Sequence, residues 1–115
     1  MKVIKTTSAR RKFQVLATTR SAQAAMMVLP PGGSTGDAPE NEHPRAEQWL
    51  FVIAGRGRAI VGKRRAAIAQ NSLLLIEKGE AHQITNTGRK PLVTLNLYAP
   101  PAYGKDEEVL PRAKK

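Results

Sequence analysis

The stretch NSLLLIEKGEAHQITN, Asn71 to Asn86, decides how the rest of the chain is read. Ser72 to Ile76 is a short apolar run, and Glu77-Lys78-Gly79-Glu80 interrupts it with charge and one glycine. His82 and Ile84 then alternate with Gln83 and Thr85, the period of two that marks a half-buried strand. The pattern reads strand, turn, strand. Gly79 permits the sharp turn because it has no Cβ to clash. His82 stands at the head of the returning strand, where an imidazole can point into the mouth of a sheet or barrel. A second stretch, Asn41 to Gly55, carries the other histidine, His43, and reads as its partner.

The strand pattern extends in both directions. Glu47 to Ile53, EQWLFVI, is the clearest strand, and Gly55-Arg56-Gly57 turns it. Arg58 to Val61 and Arg64 to Ala69 are joined by Gly62-Lys63, a pair suited to a two-residue type II′ hairpin. After the turn Asn86-Thr87-Gly88, Pro91 to Tyr98 alternates, with Leu92, Thr94, Asn96 and Tyr98 against Val93, Leu95 and Leu97. Upstream, Lys12 to Thr18 sets Phe13, Val15 and Ala17 on one face. Ala24 to Leu29 is apolar throughout, and its shortness and the Pro30-Pro31-Gly32-Gly33 stop favour a buried strand over a helix. Residues 30–40 form one long loop. About eight short strands, punctuated by Gly and Pro and without a helical period, predict an all-β sandwich or barrel. The expected layout is a basic arm over 1–11, a barrel domain over 12–103 and a charged tail over 104–115.

Composition narrows the class. The chain has 115 residues, enough for one domain with a real core. Aromatics make up only 4%, so Ala, Val, Leu and Ile must fill that core. Cysteine is absent, which leaves nitrogen and oxygen as the only metal donors. No apolar run approaches the roughly 18 residues of a membrane span. The start, MKVIKTTSARRKFQV, is basic without a continuous apolar stretch, so the expected setting is cytoplasmic. Net charge is +10, which allows anionic partners. Nucleic acid is not the expected partner, because single-strand binding wants interleaved aromatics. A solvated, soluble surface is the preferred reading of the charge.

The two motif stretches resemble the cupin family, whose fold is a double-stranded β-helix or jelly-roll barrel. The family's second motif reads roughly G-x5-P-x-G-x2-H-x3-N, and Gly79, His82 and Asn86 match it at that spacing. Asn71 stands for its opening glycine and Glu77 for its proline. The first motif reads roughly G-x5-H-x-H-x3-4-E-x6-G. Gly36 precedes Asn41-Glu42-His43, and six residues separate Gln48 from Gly55; Asn41 stands for the first histidine and Gln48 for the glutamate, with Glu47 one residue early. The resemblance covers about residues 13–103 and implies a metal set of His43, His82 and Gln48, with Glu47 as the alternative to Gln48. The implied cofactor is a divalent ion (Mn, Fe, Ni or Zn). Around it the expected substrate pocket comprises Asn41, Arg45, Leu50 and Tyr98. Asn41 also reads as a turn residue and Arg45 as a surface residue.

Two imidazoles and one oxygen donor leave open positions on a five- or six-coordinate ion, close to the face that suits open-site metal chemistry. His43 and Gln48 cannot meet one ion from a single straight strand, which rises about 3.3 Å per residue. Pro44-Arg45-Ala46 must therefore bend the chain. Gln48, Leu50 and Val52 share one face of their strand, and Glu47, Trp49, Phe51 and Ile53 share the other. The resemblance turns the Gln48 face inward, leaving the aromatic face to pack under another sheet or a second subunit. The expected functions are a metal-dependent enzyme of isomerase, lyase or dioxygenase type acting on a small polar or anionic metabolite, or a non-enzymatic ligand-binding barrel with a degenerate, metal-free site. A homodimer is expected through the Trp49 face, with the strand near Phe13 as a candidate for exchange.

Overall fold

Eight strands follow one another with no α-helix among the described residues, 1–8, 11–41 and 43–104 of the computed structural model. They are β1 (Phe13–Thr18), β2 (Gln23–Leu29), β3 (Glu47–Ala54), β4 (Arg56–Val61), β5 (Arg64–Ala69), β6 (Leu73–Ile76), β7 (His82–Asn86) and β8 (Leu92–Ala99). The fold is the all-β jelly roll. One sheet runs β1-β2-β8-β3-β6 and the other β5-β4-β7, with every pairing antiparallel. Thr6–Ser8 is a single 3-10 turn. Of the charged tail expected over 104–115, all but Gly104 lies outside the described residues. No helix of the described residues is long and apolar enough to cross a membrane.

The turns follow the local chemistry. Gly62 has φ +60°, and β4 and β5 pair up to Val61↔Arg64 across it, as a type II′ hairpin requires. Gly79 sits at φ +83°. Asn71 adopts φ +75°, so the residue in place of a motif glycine is the side chain that tolerates the left-handed region best. Asn86 is buried and pins the β7–β8 turn: its Nδ2 donates to Lys90 O (2.8 Å) and Leu29 O (2.9 Å), and its Oδ1 accepts from Gly88 N (2.8 Å).

The core lies between the sheets. Met27, Leu29, Leu50, Val52, Ala59, Ile68, Ile84 and Leu92 form its main cluster. Strand parity on β3 is as the sequence predicts, with Gln48, Leu50 and Val52 buried and Trp49 exposed. On β8 the inward face is Leu92, Thr94, Asn96 and Tyr98, so two polar residues enter the barrel while Leu97 faces out.

One element differs from expectation. The 30–40 segment is not a free loop but runs along β7. Ser34 bridges Thr85 and Glu40 bridges His82, and Thr35 N, Glu40 N and Gly32 N donate to Ile84 O, His82 O and Asn86 O. Its backbone groups need partners because the sandwich would otherwise leave the edge of β7 unpaired. The pairing delivers the chain to His43.

Candidate metal centre

Three elements converge at one end of the sandwich. β7 begins with His82, whose backbone is clamped by Glu40 in both directions, at 2.9 Å and 3.0 Å. His43 opens a reverse turn closed by Ala46 N donating to His43 O at 3.0 Å. That turn, through Pro44 and Arg45, is the bend that lets His43 face Gln48 at the head of β3. The rings of His43 and His82 lie 4.9 Å apart at 45°, and both histidines and Gln48 are buried.

The donor set is ordered by a chain of hydrogen bonds. Asn96 Nδ2 donates to Thr94 Oγ1 at 3.0 Å and more weakly to Ala25 O at 3.4 Å. That turns Asn96 Oδ1 toward Gln48, whose Nε2 donates to it at 2.8 Å. Gln48 Oε1 must then face His43, and it lies 2.7 Å from His43 Nε2. The other ring nitrogen, Nδ1, lies 3.3 Å from Ala46 O. Both nitrogens of His43 thus face oxygen acceptors, whereas a neutral imidazole carries one N–H. With that N–H on Nδ1 toward Ala46, Nε2 stands unprotonated beside Gln48 Oε1 and open to a metal ion; with it on Nε2, it donates to Gln48. Two ligands about 2.1 Å from one ion and at right angles lie about 3 Å apart, close to the observed separation of Nε2 and Oε1. His82 follows the same logic, with Nδ1 3.1 Å from Glu80 O. Nδ1–H on a backbone carbonyl leaves Nε2 as the basic nitrogen, the arrangement that orients a ligating histidine.

The donors present therefore fit a divalent ion with two nitrogen ligands and one neutral oxygen ligand. No third His, Asp or Glu joins the pair among the described residues. Glu47 turns outward, where its carboxylate accepts from Trp49 Nε1 at 2.9 Å. Of the expected pocket residues, Tyr98 is buried with its ring 5.0 Å from His43, and Leu50 lies in the core beneath Gln48. Asn41 and Arg45 are exposed instead. Arg45 is a corner residue of the turn that Ala46 N closes onto His43 O, and a corner side chain projects to solvent; Asn41 precedes that turn.

Sequence reasoning missed Thr94, Asn96 and Gln23, which hold the site from behind. Asn96 and Thr94 fix the amide of Gln48. Tyr103 packs 5.2 Å from Tyr98 and 4.7 Å from Phe13, adding an aromatic wall beside His43. Gln23 places it, with Oε1 accepting from Ala102 N and Tyr103 N at 3.1 Å and 3.0 Å and Nε2 donating to Tyr103 O at 2.8 Å. The only signal in the sequence was that Thr94 and Asn96 share one face of their strand with Tyr98.

Burial pushes the pKa of His82 below its ordinary 6.5, and the neighbouring His43 acts in the same direction. The bond to the Glu80 carbonyl and the Glu80 charge oppose the shift without reversing it. Below 6.5 the unfolded chain takes up a proton that the folded one resists, so stability is whole above that value and is lost as pH falls through the window toward the folded pKa. The melting temperature of metal-free protein should therefore drop between about pH 7 and pH 5 in the wild type and drop less in His82→Gln. Equal slopes in the two proteins would mean that His82 is not the buried group responsible.

The cupin domain model Cupin_2 matches residues 25–98. Over 81 residues the chain is 30% identical to mannose-1-phosphate guanylyltransferase of Klebsiella pneumoniae, covering 70% of this chain but only 17% of that enzyme. A solved Bacillus halodurans structure superposes with TM-score 0.77 at 28% identity, over 91% of this chain and 80% of the other. A predicted oxalate decarboxylase from Thermotoga maritima superposes with TM-score 0.71 at 19% identity, over 87% and 100%, a likeness of fold. The matched span runs from β2 to β8 and includes His43, Gln48 and His82, and on this evidence the chain belongs to the Cupin_2 family of cupin domains.

Proposed function

We propose that the barrel binds one divalent metal ion through His43, His82 and Gln48 and uses it to hold a small polar or anionic metabolite. The observation that carries this reading is His43, both of whose nitrogens face oxygen acceptors in a buried site. When bound, the ion would act as a Lewis acid on the ligand's oxygen atoms. The chain's own contribution is orientation. Asn96 and Thr94 hold the Gln48 oxygen forward, the Ala46 and Glu80 carbonyls fix both imidazoles, and Tyr98 with Tyr103 limits water at the wall behind His43. A neutral donor set leaves the ion's full charge, which favours an anionic ligand. Isomerase, lyase and dioxygenase chemistry are all compatible with such a site, and fold alone selects none. The setting proposed is cytoplasmic, in keeping with a chain that has no cysteine.

The second reading is a ligand-binding barrel without metal. It is favoured by the missing carboxylate, since no acidic side chain joins the histidines among the described residues. Elemental analysis of protein purified without added metal separates the two. About one equivalent of Mn, Fe, Ni or Zn per chain supports the first. A protein that stays empty after exposure to excess metal supports the second. Gln48→Glu supplies the missing anionic ligand and should raise metal retention at neutral pH about tenfold or more, whereas Glu47→Ala should leave it unchanged. Loss of metal in Glu47→Ala would reverse the assignment of the two residues.

A homodimer belongs to the same reading. No sheet of the chain covers Trp49 (37% exposed), Leu73 (62%), Leu75 (39%) or Leu97 (44%). These residues are neighbours on the outer face, since Trp49 pairs with both Leu75 and Leu97. A contiguous apolar face of this kind is a common interface. β1, the candidate for exchange, pairs here with its own β2. Light scattering should give twice the chain mass of 12.5 kDa, and a mass of 12.5 kDa at high concentration would reject the dimer.

A further inference from the structure

A second site lies at the other end of the barrel. A cleft of about 410 Å³ is lined by Gly55, Arg56, Ala69, Gln70, Gly88, Arg89 and Lys90. It opens where β3 and β7 finish, whereas Gln48 and His82 stand where those strands begin. Seven residues of extended β3 separate the two ends, or roughly 20 Å, so the cleft and the histidine pair do not share a ligand. Its volume lies in the range of small-molecule pockets.

We infer that this cleft binds a small phosphorylated molecule through Arg56, Arg89 and Lys90. Three cationic residues border one cavity whose lining contains no acid. Among the described residues, none of the three has an acidic side chain within ion-pair distance. Such a grouping raises a self-repulsion that an anion relieves, and guanidinium groups match phosphate oxygens in a two-pronged geometry.

The backbone that carries the cations is also held in place. Arg89 and Lys90 ride on the turn that buried Asn86 ties down through Gly88 N and Lys90 O. Gly88 leaves room for the Arg56 stem, whose Cγ would sit 3.0 Å from any Cβ there. Gly55, at φ +90°, has its α-carbon so close to Pro91 that a Cβ would strike the Pro91 carbonyl. The β3–β4 turn and the β7–β8 turn are therefore locked together, and the cleft between them keeps its shape. The Gln70 amide adds a neutral donor at the rim, and Ala69 adds an apolar wall for the body of the ligand.

The probe is pyrophosphate, titrated calorimetrically into wild type, Arg56→Ala/Arg89→Ala and His82→Ala, with a short DNA duplex as a second arm. The expected result is saturable one-to-one binding of pyrophosphate with a dissociation constant below about 1 mM. The double variant should weaken it about tenfold or more, and His82→Ala should leave it unchanged. Binding that survives in the double variant, or that is lost in His82→Ala, would overturn the assignment. So would the absence of saturation at about 10 mM pyrophosphate. Salt-sensitive duplex binding without pyrophosphate binding would also overturn it, in favour of a surface for a polyanion backbone. The titrations use protein stripped of divalent metal with a chelator that is then removed, so that none of these outcomes reports pyrophosphate held by an ion at the histidine pair.

Discussion

His82→Ala is expected to purify without bound metal while the barrel stays folded. The substitution removes one of two nitrogen ligands and leaves one imidazole and one amide oxygen, neither of them charged. Loss of a ligand-orienting partner alone costs about 10- to 100-fold in metal affinity, so loss of the ligand itself should cost about 100-fold or more. The fold should tolerate the change because the pairing of His82 with Glu40 is made by backbone atoms that alanine also has. The buried ring leaves a cavity, and the cost in stability is about 2 kcal/mol. Elemental analysis gives the metal content and circular dichroism the fold. A folded variant that keeps its metal would remove His82 from the site.

Gly57→Ala is expected to be strongly destabilising. Gly57 lies on β4 between Ile68 and Asn86 and is buried. An added Cβ would collide with the Thr85 carbonyl oxygen on the neighbouring strand and come within 2.9 Å of Leu92 Cδ2. The carbonyl belongs to a sheet backbone and cannot swing aside as a flexible side chain would. Overpacking at such a place costs about 3 kcal/mol, a fall in melting temperature of roughly 10 to 20 °C for a domain of this size. Gly62→Ala is the contrast. Gly62 has φ +60° but open space around it, so only the left-handed backbone cost of about 1 kcal/mol applies. Thermal denaturation of both variants gives the comparison, and a Gly57→Ala protein as stable as Gly62→Ala would mean that β4 and β7 can separate freely.

Most of the strands could be read from the sequence because their signals are local. Alternation in EQWLFVI gave the β3 parity, and with it the inward Gln48. Gly62-Lys63 carried its own turn type. Asn86 read as a turn cap, which it is, although its full burial was not visible. What failed to show was set by contacts across the chain. The 30–40 segment has no side-chain period, yet its backbone completes the edge of β7, and backbone pairing of that kind leaves no mark in composition. On β8 the alternation was plain but its direction was not, since apolar residues lie on both faces. Only the pairing of β8 with β2 and β3 decides that Thr94 and Asn96 go in. Gln23 reaches Tyr103 across a sequence separation of 80 residues, and nothing near either residue predicts it. Arg45 and Asn41 were expected around the pocket from their nearness to His43 along the chain. Arg45 stands instead at the corner of the His43–Ala46 turn, where its side chain reaches solvent, and Asn41 precedes that turn and is exposed.

The two ends of the barrel have opposite characters. At one, two imidazoles and an amide meet in a buried site. At the other, cations line a cleft without a negative partner among the described residues. The two ends need not act together, and each stands on its own test.

The central claim is that His43, Gln48 and His82 share one ion. Crystals grown in the presence of manganese and measured with X-rays above its absorption edge test it most directly, by an anomalous difference map. The account predicts a single strong peak about 2.0 to 2.4 Å from an imidazole nitrogen of each histidine and from the Gln48 side-chain oxygen. A fully ordered site with no peak there, and with His43 Nε2 still at hydrogen-bond distance from the Gln48 oxygen, would contradict it.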